Sequence, residues 1–193
     1  MLTKKNIRQG IFCIFLLALA ACTTTAPSSS WHDPIMDFGV VETVAVMPFE
    51  NMTRDNLAAD RVRDVFTTML LSSGGVYILP TGEVMRGINR AAVARPVTPS
   101  PEEVMKFGAI VKADAVITGT VKEYGEVRSG TTSANIVSIS MRMFETKTGR
   151  IVWSASSTQG GITAGDRLLG GGGQPMDIVT VKAVNDIIDK LYK

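Results

Sequence analysis

Residues 137–155, VSISMRMFETKTGRIVWSA, decide the fold of this chain. Apolar and polar residues alternate over the first half of the stretch, which is the pattern of a strand with one dry face and one wet face. The apolar set is Val137, Ile139, Met141 and Met143, and the polar set is Ser138, Ser140 and Arg142. The segment that follows, TKTGR at 146–150, predicts a tight turn with Gly149 at positive φ. Because a second apolar run follows at 151–155, the stretch predicts an antiparallel hairpin.

The rest of the chain supplies further strands and helices around this hairpin. Strands are predicted at 40–49, 76–79 and 113–124, where β-branched and other apolar residues cluster. Helical spacing predicts a helix that Asp55 or Asn56 caps and that Gly74 and Gly75 end, a second helix through 84–88, and a third over about 101–111. The predicted order, βαβααβββα, indicates a single-domain α+β fold in which a mixed β-sheet is packed by helices.

Two helix signals are specific. Ser100, Pro101 and Glu103 combine an N-cap, a first-turn proline and a glutamate at N3, so a helix is predicted to begin there. The last helix is predicted to bury one side and to hold Lys190 and Lys193 near its negative end. The residues expected on the buried side are Ile178, Val181, Val184, Ile188 and Leu191.

The N-terminus predicts secretion and lipid attachment. Lys4, Lys5 and Arg8 precede an apolar run at 11–21, which is typical of a signal peptide and is too short to span a membrane as a helix. The run ends in Leu-Ala-Ala before Cys22, which is similar to the site where bacteria acylate a cysteine and cleave before it. We therefore expect a signal peptide over 1–21 and a lipid anchor on Cys22.

A short tether separates the anchor from the domain. The expected division is a lipidated cysteine and tether over 22–36 and an α+β domain over 37–193. The Ser/Thr/Pro-rich tract at 23–30 reaches at most about 28 Å when extended. Trp31 follows it, and the expectations stay open between contact with lipid headgroups or a neighbouring subunit and packing on the edge of the domain.

Charge and cysteine content exclude several classes. The 20 basic residues include the three in the signal peptide, so the mature protein is close to balance with 18 acidic residues. No basic run remains that would bind nucleic acid. Cys13 is removed with the signal peptide and Cys22 is expected to be acylated, which leaves neither a disulfide nor a free thiol.

Few residues indicate chemistry. The single histidine, His32, lies beside the tether and is expected to be solvated. Without a second histidine or a thiol, the sequence predicts no enzyme, no metal site and no cofactor. The glycine-rich loop at 160–174 lacks the ending of a phosphate-binding loop. Its Leu168 and Leu169 either fold back onto the domain or contact a neighbouring subunit or the membrane.

Three segments carry a family resemblance. Residues 44–53 (VAVMPFENMT), 113–120 (ADAVITGT) and 145–154 (ETKTGRIVWS) are similar to the CsgG-like superfamily of bacterial outer-membrane lipoproteins, which includes the CsgG, PelC and LpoB types. The resemblance covers most of the mature domain in element order. It implies an α+β domain and a lipid-anchored protein on the periplasmic face of the outer membrane, but it implies no single activity.

The resemblance leaves two functions to weigh. The places of the two membrane hairpins of CsgG correspond to 125–135 and 160–174, which lack the alternating apolar pattern of a spanning strand. The first expectation is therefore a non-enzymatic accessory of secretion or polysaccharide export, oligomeric as a ring beneath an export porin. The alternative is an LpoB-like module that activates a peptidoglycan synthase, for which the tether is short.

Overall fold

The computed structural model describes residues 29–162 and 173–193. Their elements are seven strands, four α-helices and a short 3-10 helix at Phe38–Val40. In chain order the strands and α-helices are β1 (Ser30–His32), β2 (Thr43–Val46), β3 (Glu50–Asn51), α1 (Ala58–Ser73), β4 (Tyr77–Ile78), α2 (Thr81–Ala91), α3 (Pro101–Val111), β5 (Ala115–Ser129), β6 (Thr132–Glu145), β7 (Ile151–Gly160) and α4 (Met176–Leu191). The predicted α+β class is confirmed, with β1 and β3 as additional short strands.

All the strands belong to one mixed sheet. Its order is β1-β7-β6-β5-β2-β4, with β3 pairing beside β5. The strands β2, β4 and β5 run parallel to one another, whereas β5, β6, β7 and β1 form antiparallel pairs. The predicted hairpin is confirmed as β6 and β7, and Gly149 in its turn has a φ of 69°.

The two faces of the sheet are covered unequally. On one face, α1 and α4 pack over the alternating apolar residues of β5 and β6 in a large core. On the other face, α2 and α3 cover a smaller core that involves β2, the start of β5 and Phe144. On this second face, the parts of β5, β6 and β7 that lie farther from Phe144 carry polar side chains. The sandwich is therefore complete at one end of the sheet and open at the other.

The predicted buried side of the last helix is partly wrong. Ile178 and Val181 are 44% and 39% exposed, whereas Val179, Ala183 and Ile187 are buried. Each three-residue step along a helix rotates by about 300°, which is about 60° short of a full turn. Val181 and then Ile178 therefore lie progressively farther around the helix from Val184, which faces the core. The true stripe instead uses a four-residue spacing through small Ala183.

The contact between α4 and β7 is fixed by polar as well as apolar groups. The indole N–H of Trp153 donates to the carbonyl of Lys190 at 3.2 Å. Lys190 is itself buried, where its ammonium pairs with Asp186 and donates to the carbonyl of Ser156 at 2.7 Å. His32 was expected to be solvated, but its ring is half-buried against Phe38 and Trp153. β1 brings the histidine to this position by pairing with β7.

Strand pairing begins close to Cys22. Ser30 already pairs with Ala155, and the carbonyl of Ser29 accepts a hydrogen bond from Ser156 N–H at 2.9 Å. Seven residue steps separate Cys22 from Ser29, so the covalent chain allows at most about 25 Å between them. The chain from Cys22 to Ser29 therefore spans at most about 25 Å, slightly less than the roughly 28 Å expected for the tract at 23–30.

The predicted helix start at Ser100 is confirmed as a capping box. The Ser100 hydroxyl accepts from Glu103 N–H at 3.2 Å, and the Glu103 carboxylate accepts from the N–H groups of Ser100 and Ala94, each at 2.7 Å. These bonds lower the pKa of Glu103, with that from Ser100 contributing most and that from Ala94 next. The carboxylate therefore ties the loop before α3 to the first turn of the helix.

We expect Ser100→Ala to lower the free energy of unfolding by about 1 kcal/mol, because an N-cap acceptor is lost. The depressed pKa of Glu103 adds stability that is present above its ordinary value of 4.5 and is lost as pH falls through the folded-state value. Thermal melts from pH 7 down to pH 3, roughly spanning that titration, should therefore show a smaller acid loss for Glu103→Gln than for wild type. Glu42→Gln removes an exposed carboxylate with no described hydrogen bond, and an equal reduction in that variant would contradict the assignment.

Candidate functional site: a polar cleft on the open half of the sheet

The open half of the sheet carries rows of polar side chains that run across the strands. In one row Thr118 of β5 is opposite Arg142 of β6, and Arg142 is opposite Ser154 of β7. Trp31 of β1 is opposite Ser154 and ends the row. Since neighbouring strands lie about 4.8 Å apart, these four positions span about 14 Å.

A second row runs beside the first. Thr120 is opposite Ser140, Ser140 is opposite Ser156, and the hydroxyls of Ser156 and Ser29 are 3.0 Å apart. Glu50 of β3 ends this row beside Thr120, whose hydroxyl donates to the carboxylate at 3.4 Å. The two rows together form a floor that is rich in hydroxyl groups.

Residues of two loops line the sides of this polar surface. The connection between α2 and α3 contributes Val97, Thr98 and Pro99, and Met52 lies beyond β3. The loops and the sheet surface together form an open cleft of about 500 Å³. The cleft exists because α2 and α3 cover only one half of this face, which leaves the end of the loop between them as a rim.

The cleft has more positive than negative groups. Arg142 and Lys122 are exposed and line it, and neither side chain makes an ion pair or hydrogen bond with a described residue. Glu50 is the acidic residue that lines it. The described lining therefore carries a net charge of one positive unit.

Trp31 lies at the edge of the cleft. Successive residues of a strand project to opposite faces, and His32 contacts Trp153 on the core side. The indole of Trp31 is therefore on the cleft side, beside Ser154, and it is 48% exposed. β1, which carries Trp31, is an edge strand of the sheet, and contact of the indole with lipid or a subunit stays a prediction.

The other sequence-predicted residues lie outside the described ranges. Cys22 precedes residue 29, and Leu168 and Leu169 fall between 162 and 173. The lipid attachment and the contact role of the leucines therefore stay predictions.

The perturbed pKa values lie away from the cleft. Burial lowers the pKa of Arg63, which donates to the carbonyl of Val46 at 3.0 Å on the α1 side. On the hairpin tip, hydrogen bonds from Ser133 and then Arg128 lower the pKa of Glu126. These groups stabilise local structure and do not form an acid–base pair.

Two negative findings apply to residues 29–162 and 173–193. No three histidine, cysteine, aspartate or glutamate side chains are grouped there as metal ligands. No helix in these ranges has the length and apolar character needed to cross a membrane. The polar side chains that line the cleft thus consist of hydroxyls, two cations and one carboxylate, and the indole of Trp31 lies next to them in register with Ser154.

The alternation in β6 predicts its polar face but not the position of the cleft. Ser140 and Arg142 were correctly placed on a polar face by their alternation. The alignment of Thr118, Ser154 and Trp31 with Arg142 is not predicted by the sequence, because the strand register that produces it depends on pairing between distant segments. A polar alternation shared by three neighbouring strands was the available signal.

Solved structures with the same fold come from two bacteria. The PelC dodecamer from Paraburkholderia phytofirmans matches with a TM-score of 0.57 at 15% identity, covering 86% of this chain and 98% of that chain. Lipoprotein GNA1162 from Neisseria meningitidis matches with a TM-score of 0.53 at 24% identity, covering 77% of this chain and 99% of that chain. At these identities the likeness shows a shared fold. A search of curated protein sequences finds no match.

A family comparison goes further than the fold. The model of the peptidoglycan-synthase activator LpoB matches residues 21–158 of this chain. The matched range runs from the residue before Cys22 to near the end of β7 and includes most of the strands that form the cleft. Because the match covers more than half of the chain, the protein belongs to the family of the peptidoglycan-synthase activator LpoB.

Proposed function

We propose that this protein is a non-enzymatic lipoprotein, anchored through acylated Cys22 to the periplasmic face of the outer membrane, which activates a peptidoglycan synthase by binding it. The observation that carries the proposal is the family match over residues 21–158. The chemistry of the described domain is consistent with binding, since the cleft offers hydroxyls and cations but no grouped metal ligands.

The tether limits where the synthase meets the domain. The chain between Cys22 and Ser29 spans at most about 25 Å, and a domain of this length is about 40 Å across. The far side of the domain then lies within about 65 Å of the membrane surface. A synthase anchored elsewhere must therefore present its docking site inside that distance.

A second function has its own support. The fold likeness to PelC covers 98% of a chain that was solved as a dodecamer. A ring of this protein beneath an export porin, as an accessory of secretion or polysaccharide export, is the second candidate. Such a ring needs head-to-tail contacts between copies.

One experiment separates the two functions. The full acylated chain in detergent is added to each purified peptidoglycan synthase of the source bacterium, and glycan polymerisation is measured. We expect a faster rate with one synthase, at a protein concentration where light scattering finds no ring. Unchanged rates with all synthases, together with a large closed oligomer, would instead favour the export accessory.

The anchor is tested in cells. Cys22→Ser is expected to be absent from the outer-membrane fraction and to lack the mass of attached acyl chains. It should also lose activation in cells while the purified variant still activates the synthase in detergent. Retention of Cys22→Ser in the outer-membrane fraction would contradict lipid anchoring at this residue.

A further inference from the structure

The cleft has the composition of a binding site that the proposed synthase contact does not require. Its floor and rim present hydroxyls from Thr118, Thr120, Ser140, Ser154 and Ser156, with Ser29 and Thr98 at the edges. A hydroxyl both donates and accepts hydrogen bonds. A ligand that matches this floor must also carry many groups that do both.

The charges of the cleft select for anions. Arg142 lies in the middle of the first row, and Lys122 lies near the end of the second. Arginine binds carboxylates through two parallel hydrogen bonds, and such charge-assisted bonds are stronger than neutral ones. With Glu50 as the acidic lining residue, a ligand that carries spaced carboxylates complements the cleft better than a neutral one.

Trp31 adds a flat apolar surface at one end. The indole is half exposed, and it lies in the same row as Ser154 and Arg142. A side chain of this kind stacks on flat apolar faces while leaving neighbouring polar groups in contact with water. The ligand therefore has an apolar face as well as hydroxyls and carboxylates.

We infer that this cleft binds an acidic polysaccharide. Pyranose rings supply hydroxyls for the serine and threonine floor, a C–H face for Trp31 and carboxylates for Arg142 and Lys122. A volume of about 500 Å³ lies within the range of small-ligand sites, and the row of about 14 Å suits a short stretch of a chain-like ligand. This inference does not depend on the proposed synthase contact.

The two tryptophans allow a direct test. Trp153 is fully buried, whereas Trp31 is exposed, so acrylamide quenches Trp31 selectively. The full chain is held in a detergent without a sugar headgroup, and polygalacturonate, dextran or poly-glutamate is added. We expect polygalacturonate to protect Trp31 from acrylamide, with less protection as salt concentration rises.

Arg142→Gln is the decisive variant. Loss of the guanidinium is expected to weaken the apparent affinity for polygalacturonate by about tenfold or more. The variant should fold normally, since Arg142 is exposed and makes no described side-chain contact that would be lost. Lys182→Gln removes one positive charge from α4 on the opposite side of the sheet, and it should bind like wild type.

Four results would overturn the inference. They are no protection by polygalacturonate, equal protection by neutral dextran, protection by poly-glutamate that equals or exceeds that by polygalacturonate, and equal loss in Arg142→Gln and Lys182→Gln. Binding of the glycan without any effect on a synthase would instead leave this inference standing and remove only the proposed function.

Discussion

Replacing Trp153 by alanine is expected to lower the free energy of unfolding by about 3–5 kcal/mol, the range found for large aromatic residues removed from cores. The side chain is fully buried between β7 and α4, where its loss leaves a large cavity. It also removes the bond from the indole N–H to the carbonyl of Lys190. Chemical denaturation followed by far-UV circular dichroism measures the effect without depending on tryptophan fluorescence.

Trp153→Phe separates the cavity from the hydrogen bond. Phenylalanine keeps most of the apolar volume but has no N–H group, so we expect a loss of about 1–2 kcal/mol. A loss as large as that of alanine would assign the stability to the Lys190 contact. Little loss in either variant would contradict the role of Trp153 as the centre of the core.

Gly149→Ala is expected to cost about 2–4 kcal/mol through two separate effects. Gly149 has a φ of 69°, which costs an alanine about 1–2 kcal/mol. An added Cβ would also lie 2.6 Å from the carbonyl oxygen and 2.9 Å from the Cα of Pro101, which are backbone atoms at the start of α3. The turn or the helix must move to relieve this overlap.

Gly130→Ala is the matched control for the turn. Gly130 lies between β5 and β6 with a φ of 61°, and an added Cβ meets nothing within 4 Å. Its cost should therefore contain the backbone term alone, at about 1–2 kcal/mol. Equal destabilisation of the two variants, measured by urea unfolding, would show that the contact of Gly149 with Pro101 is not restrictive.

The short tether bears on the proposed function in a different way than the sequence suggested. From the sequence, a short reach favoured an export accessory over a synthase activator. The family match over residues 21–158 supports the activator at least as well. Under the proposed anchoring, the reach of residues 22–29 would limit where a partner docks, and it does not distinguish the two candidate functions. The wider CsgG-like resemblance stays a prediction.

Local signals were sufficient for most elements. The alternation in β6, the turn at Gly149 and the capping box at Ser100 each depend on neighbouring residues, and all three are confirmed. The predicted buried side of α4 is wrong at Ile178, because the helix has apolar residues on more than one side. The sheet and α1, which lie far away in the chain, select the side that is buried.

The α+β class, the central hairpin and the polar face of β6 follow from local sequence, because periodicity and turn chemistry act over a few residues. Tertiary structure alone decided that Thr118, Arg142, Ser154 and Trp31 form one row, since their alignment follows from the register of four strands. It also decided that this row stays open, because α2 and α3 cover only the other half of that face. The candidate site therefore depends on pairing between distant strands and on a sheet face that the helices cover only in part. Neither can be predicted from a single segment of the sequence.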